Sequence, residues 1–344
     1  MTELGRPLVY RWDLDKTYLR TEFDRLGDLW RTVRQTAEEK QSVPGAAALL
    51  RALGGHERTA RVDFISGSPT QMRKVLEEKL RLDGVRVDGF TLKPNLQNLL
   101  RGRFRALREQ VGYKLPALLQ ARLASPPDAD EVCFGDDAEA DAFIYRLYAD
   151  VVAGRVDGDQ LTEVMTAAGA YASDVKRTVA LLPQLPTPRD SVRRIFINLD
   201  RRSPTAGFDV YGPRVVPVHN YFQAALVLFE DGVLAARDLV RVGLEMVRHD
   251  GYSISRLVNS MEDLLRRGRM TTKAQERFNA QAHDVRGDLP DADAVLREFH
   301  RRVVEVAERP RGVARPDEPV DFLAILQATP LRRHRKKVKA GPLD

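Results

Sequence analysis

The chain has 344 residues, 43% of them apolar and 30% charged, which suits a globular protein of one large domain or two ordinary ones. Its single cysteine, Cys133, excludes a disulfide framework and any CxxC metal cage. The net charge of +6 is carried by a cluster near the C-terminus (Arg332, Arg333, Arg335, Lys336, Lys337 and Lys339), and the neutral remainder argues against nucleic acid as a partner.

Short apolar runs alternate with helical patterns through the first half. Residues 8–12 read as a strand and 22–40 as a charged helix. Pro44-Gly45 then opens a helix carrying Ala46, Leu49, Leu50 and Leu53. A second strand at 62–65 precedes a helix with Met72, Val75, Leu76 and Leu80 on one face. Residues 85–92 form a third candidate strand, 96–107 and 115–123 are helical, 131–134 is a fourth strand and 138–152 a helix. Strands alternating with helices predict βαβ units and a parallel sheet. Residues 159–182 read as one helix closed by the proline-rich 183–188, and 195–199 as a further strand. Mostly helices follow, at 221–229, 233–247, 254–265, 272–282 and 294–307. Val233, Ala236, Val240, Leu244 and Val247 recur at the helical period. A Pro/Gly/Arg-rich linker at 309–319 and an apolar run at 322–326 lead into the basic tail. No stretch reads as a signal peptide or a membrane span, so the expected location is cytoplasmic.

The string Asp13-Leu14-Asp15-Lys16-Thr17 follows the first strand directly. In a parallel sheet ligands bind outside the carboxyl ends of the strands. Asp13 and Asp15 fall there, as do Ser66 after the second strand and Asp136 and Asp137 after the fourth. Lys114 lies before the helix that leads into that fourth strand. Such a set suits phosphoryl transfer. Asp13 and Asp136 can share a Mg²⁺, a hard ion that favours carboxylates plus substrate oxygens and offsets repulsion between an aspartate and a phosphate. Asp13 is then the nucleophile that forms an aspartyl-phosphate, and Asp15 the acid that protonates the leaving alcohol and later the base that activates water. Ser66 and the Gly67 amide would hold phosphate oxygens, and Lys114 would neutralise developing charge.

These residues resemble the haloacid dehalogenase-like superfamily of phosphohydrolases. Its DxDxT motif looks like residues 13–17, its Ser or Thr after an apolar strand looks like Ser66, its Lys looks like Lys114, and its acidic motif looks like Gly135-Asp136-Asp137 with Asp141. The finer resemblance is to the actin-patch-type phosphatidate phosphatase family and its bacterial relatives. A PG turn (Pro44-Gly45), an SxSP motif (Ser66 to Pro69), a Tyr after the acidic motif (Tyr145) and an IYIR-like strand at 195–199 carry it. Lys16 stands where Asp or Gly is most common in that pattern. The resemblance implies an α/β fold with a Rossmann-like parallel sheet, helices on both faces and a mainly α-helical C-terminal region. It divides the chain into a catalytic domain at 1–202 with a helical insertion around 159–188, a helical accessory domain at 203–309, and a linker and basic tail at 310–344. It also implies a Mg²⁺-dependent phosphatase hydrolysing a phosphomonoester, with phosphatidate-like lipid as substrate. The implied metal set is Asp13, Asp15, Asp136 and Asp137, with Thr17 and Asp141 supporting it. The resemblance also implies that the stretch 18–60 is too short for a large cap domain, and an open site would suit a bulky substrate.

Several residues have ordinary rivals. Ser68 competes with Ser66 as a helix cap, and Lys93 competes with Lys114. Cys133, Trp12 and Trp30 read as packing residues, and the histidines form no ligand pair. Arg189, Arg193, Arg194, Arg201, Arg202 and Arg214 cluster around the last strand, as an anionic-substrate surface or as solvated charge. The basic tail is a candidate peripheral contact with an anionic membrane. Two alternatives stand beside the leading reading: a phosphatase of nucleic-acid ends or small soluble phosphate esters, and a non-catalytic helical scaffold.

Overall fold

Alternate residues of a strand point to opposite sides of its sheet, and here both sides are apolar. In β1 (Leu8–Trp12), Tyr10 and Trp12 enter one core. In β4 (Asp130–Asp136), Val132 and Phe134 join that core while Cys133 enters the other. β2 (Thr59–Pro69) divides Val62 and Phe64 from Ile65, and β5 (Val192–Asn198) divides Phe196 from Ile195 and Ile197. With β3 (Gly89–Lys93) and β6 (Val215–Val218) they make a six-stranded, all-parallel sheet of order β3-β2-β1-β4-β5-β6. This computed structural model describes residues 5–20, 40–93, 107–271 and 317–328, with Ala274, Arg277, Phe278, Ala280, Gln281, Arg297 and Arg301. Apart from these, the expected helices at 22–40, 96–107, 272–282 and 294–307, Trp30, the linker and the basic tail lie outside the described residues.

In chain order the helices are α1 (Ala46–Gly54), α2 (Arg73–Leu82), α3 (Leu107–Leu123), α4 (Asp141–Val152), α5 (Gly158–Ala167) and α6 (Ala172–Val179). They continue with α7 (Tyr221–Glu230), α8 (Ala236–His249), α9 (Ile254–Arg266) and α10 (Phe322–Ala328). α1, α2 and α7 to α9 cover one face of the sheet, and α3 to α6 and α10 the other. The architecture is therefore the expected α/β, Rossmann-like parallel sheet with a helical C-terminal region. The chain winds outward from β1 to β3, then crosses back to β4 and β5. Crossovers keep one hand, so reversing direction moves the helices to the opposite face. The reversal falls between β1 and β4, which pair from Leu8↔Asp130 to Trp12↔Phe134. A crevice opens outside the carboxyl ends of strands at such a switch point.

Several boundaries differ from those predicted. The helix expected over 159–182 is two, α5 and α6, because Gly169 (φ 79°) takes the left-handed conformation that ends the first. β6 has no forerunner in the periodicity. It is a four-residue edge strand containing Pro217, and proline inside a short apolar run argues against a strand except at an edge. β6 and α7 lie beyond residue 202, yet β6 pairs with β5, and the Tyr221 ring lies 5.2 Å from that of Trp12. Trp12 also stacks on Phe134 at 3.9 Å, and Phe134 on Phe196 at 5.2 Å.

Between Tyr10 and Trp12, Arg11 points the other way and is fully buried. Its Nη1 meets Asp63 Oδ2 and its Nε meets Glu131 Oε2, each at 2.6 Å, and Nη2 donates to Ser125 Oγ at 3.1 Å. The Tyr148 hydroxyl donates to Glu131 at 2.8 Å. Burial opposes the charge on Arg11, but Glu131 and Asp63 outweigh it and raise its pKa further. A buried ion pair adds little net stability, whereas removing one partner strands the others. Arg11→Leu removes the closest cation from two buried carboxylates, leaving Asp63 with Arg61 at 3.0 Å and Glu131 with Arg122 at 3.5 Å, and is expected to lower unfolding free energy by about 3 kcal/mol, read from urea denaturation midpoints.

Candidate active site

β1 delivers Asp13 to the crevice, and its backbone N–H donates to the Phe134 carbonyl at 2.8 Å, holding the ends of β1 and β4 together. The chain then turns tightly. Lys16 N–H donates to Leu19 O, and Leu19 N–H to Leu14 O, each at 2.8 Å. Lys16 sits at φ 60°, a left-handed conformation that a side chain with a Cβ tolerates poorly. That is a physical reason why the position suits glycine or aspartate. The turn brings Thr17 Oγ1 to 3.2 Å from Asp13 Oδ2, to which it donates.

Lys114 reaches the same point from α3. Its Nζ lies 3.0 Å from Asp13 Oδ1, 2.8 Å from Glu139 Oε2 and 2.5 Å from Asp141 Oδ1. Its rival Lys93 instead lies over the Tyr113 ring, 5.8 Å from the centroid. Asp136 ends β4. Its Oδ1 accepts from the N–H groups of Ala138 (2.6 Å) and Glu139 (3.1 Å), while Asp141 Oδ2 accepts from the Asp136 N–H at 3.2 Å. That closeness depends on Gly135: a Cβ there would stand 2.5 Å from both Cβ and Oδ2 of Asp141.

Asp13, Asp136 and Asp141 are all buried, and each offers an oxygen within 4.8 Å of the others. Asp136 Oδ2 is buried without a hydrogen-bond partner. An orphaned carboxylate oxygen beside two further carboxylates fits a hard divalent cation that takes oxygen ligands. Asp141, expected in support, thus stands among the three.

The remaining expected residues are placed differently. Asp15 Oδ2 accepts from Ser66 Oγ (3.0 Å) and Ser68 Oγ (2.7 Å), and its Oδ1 is buried and unpartnered. Ser66 Oγ also accepts from the Ser68 N–H at 2.9 Å, with Gly67 between them at the end of β2. Asp137 turns out of the cluster, accepting from Arg201 N–H (2.8 Å) and Ser203 N–H (2.9 Å). The six arginines separate by position. Arg189, Arg193, Arg194 and Arg214 lie at the amino ends of the strands, paired with Asp130, Asp190, Asp231 and Asp317. A cavity of about 460 Å³ lies among those pairs, at the opposite end of the sheet from Asp13. Only Arg201 and Arg202 remain on the carboxyl side, in the exposed loop after β5.

Burial first, and then the neighbouring carboxylates, push the pKa of Asp13 and of Asp136 well above the ordinary aspartate value. Asp141 is raised by burial and by Glu139, against the pull of Lys114. Asp15 is raised by burial against its two serine hydrogen bonds. Burial disfavours the charge on Lys114, but Asp13, Asp141 and Glu139 more than compensate and raise its pKa. One ammonium among five acids leaves a negative excess that protons or a cation must offset.

Glu139 was legible only as part of an acidic run. Asn198 and Tyr221 carry no sequence signal, yet Asn198 Nδ2 donates to Lys16 O and the Tyr221 hydroxyl to Thr17 O, each at 2.7 Å.

Residues 12–158 match the family described as phosphatidate phosphatase APP1, catalytic domain. The match spans less than half of the 344 residues. No curated protein and no solved structure matches the chain. The APP1-like segment holds Asp13, Asp15, Ser66, Lys114, Asp136, Glu139 and Asp141, and ends before Asn198 and Tyr221. Among the described residues, no helix is long and apolar enough to cross a membrane.

The raised carboxylates give a testable linkage. They hold protons to higher pH when folded than when unfolded, so their contribution to stability falls as pH rises above about 4. A cation binds only their ionised forms and removes that penalty. The gain in Tm on adding MgCl₂ is therefore expected to grow as pH rises from about 5 to about 7. Thermal melts with and without the salt check this, and Gly135→Ala, which displaces Asp141, is expected to abolish the gain.

Proposed function

We propose that this chain is a divalent-cation-dependent phosphatase of haloacid dehalogenase type, using Mg²⁺ and acting on a phosphomonoester, with phosphatidate as the leading substrate. The observation that carries the reading is the buried Asp13, Asp136 and Asp141 set around Lys114, lying wholly within the APP1-like segment. A cation held by those three carboxylates would offset the repulsion between Asp13 and an incoming phosphate.

The remaining chemistry belongs to the side chains. Thr17 holds Asp13 Oδ2, leaving Oδ1, the oxygen facing Lys114, to attack phosphorus. As the Asp13 O–P bond forms, the bond from phosphorus to the leaving alcohol breaks, and Asp15 gives its proton to that alcohol. A raised pKa suits Asp15 to carry this proton. Asp15 next takes a proton from water, whose oxygen bonds to phosphorus as the Asp13 O–P bond breaks, releasing inorganic phosphate. Lys114 balances charge in both steps. Ser66 and the Gly67 amide, at the end of β2, are the donors for the non-bridging oxygens.

Phosphate release from phosphatidate, nucleotides and sugar phosphates, with and without Mg²⁺, tests the reading. Asp13→Asn is expected to lower kcat by at least about 10⁴-fold, and unchanged turnover in that variant sinks the proposal. Asp15→Asn is expected to cost about 10²- to 10⁴-fold with alkyl phosphates, and less with p-nitrophenyl phosphate, whose leaving group needs no proton.

The basic cluster Arg332 to Lys339 supplies peripheral contact with anionic lipid. Truncation after Leu331 is expected to weaken binding to phosphatidylserine vesicles while turnover of a soluble ester persists.

A further inference from the structure

We infer that the site is completed from outside the APP1-like segment, with Asn198 and Tyr221 acting as positioning residues for the loop that carries Asp13 and Asp15. The inference rests on the phosphatase reading above.

The loop contains an unfavourable feature, since Lys16 is left-handed without being glycine. Two side chains grip its backbone immediately after Asp15. Asn198, the last residue of β5, donates from Nδ2 to the Lys16 carbonyl at 2.7 Å. Tyr221, the first residue of α7, donates its hydroxyl to the Thr17 carbonyl at 2.7 Å. Each donor is fixed by its own element. Asn198 is in register with Asp136 on one side and Val218 on the other. The Tyr221 ring is fully buried against Trp12 and Phe134, with centroids 5.2 Å and 6.3 Å away.

Both reacting carboxylates depend on this stretch of backbone. Thr17 holds Asp13 through its hydroxyl, and Asp15 precedes Lys16 directly. Movement at Lys16 and Thr17 therefore changes the separation of nucleophile and acid. Reaction rates are sensitive to displacements of that size, while Ser66 and Gly67 are held by β2 and Lys114 by α3, elements that neither Asn198 nor Tyr221 anchors. The two anchors come from separate stretches of chain beyond residue 158, so no fragment ending there carries them.

Tyr221→Phe tests this in the full chain, because it keeps the ring and deletes only the donor. For an alkyl phosphate, kcat is expected to fall about 10- to 100-fold with KM within about twofold. The fall is smaller for p-nitrophenyl phosphate, because that ester needs the nucleophile Asp13 but not the acid Asp15, so only part of the lost alignment counts. Asn198→Ala is expected to show the same split. Amide hydrogen exchange supplies a readout independent of turnover: the Lys16 and Leu19 amides should exchange faster in Tyr221→Phe, with those of α4 unchanged. Equal losses for both substrates, tracking a fall in Tm, would show a merely structural role and overturn the inference. So would unchanged kcat and unchanged exchange. A wild-type chain that releases phosphate from no ester defeats the phosphatase reading instead, and the exchange measurement then decides the clamp alone.

Discussion

The arrangement at the carboxyl end of the sheet depends on one buried ammonium held among buried carboxylates. Lys114 lies within 3.0 Å of Asp13, Glu139 and Asp141, and Asp136 stands beside them. In a buried site such charges interact strongly, and like charges cannot all ionise without compensation. The cluster therefore needs partners from every direction. The backbone N–H groups of Ala138 and Glu139 satisfy one oxygen of Asp136, Thr17 satisfies one of Asp13, and Ser66 and Ser68 satisfy one of Asp15. What they leave unsatisfied, notably Asp136 Oδ2, is where a hard cation would fit.

The scaffold beneath has the same character. Successive residues of β1 do three different jobs because strand side chains alternate. Arg11 joins a buried ionic network on one face, Trp12 stacks with Phe134 and Tyr221 on the other, and Asp13 emerges at the end. An error in the register of β1 would turn Asp13 away from Lys114 and break the Arg11 network at once. Gly135 shows the tolerance of the packing, since a single added carbon would occupy the place of Asp141.

Much of this was legible beforehand for particular reasons. Asp13 and Asp136 stand directly after apolar runs, and a parallel sheet brings strand ends to one rim, so their convergence followed from pattern alone. Ser66 was legible by the same argument. Choosing among Asp136, Asp137 and Asp141 was a different problem. Asp137 is adjacent to Asp136, but successive residues leave the strand in different directions, and Asp137 caps the 201–203 loop instead. Asp141 comes back to the cluster because α4 begins there and Gly135 leaves room. The arginines around β5 looked like one group because they are close in sequence. A strand of seven residues separates its two ends, so Arg193 and Arg194 belong to the far side and Arg201 and Arg202 to the near one.

Hydrophobic periodicity determined by itself the parallel α/β class and the strand ends that carry the acids, because each is set by neighbours a few residues apart. The tertiary structure alone decided which carboxylates meet Lys114, which one turns away, and that Asn198 and Tyr221 hold the Asp13–Thr17 loop. Those are contacts between residues as much as 204 positions apart, as between Tyr221 and Thr17. No local pattern encodes them, because they exist only once β5 and α7 have packed against β1 and β4.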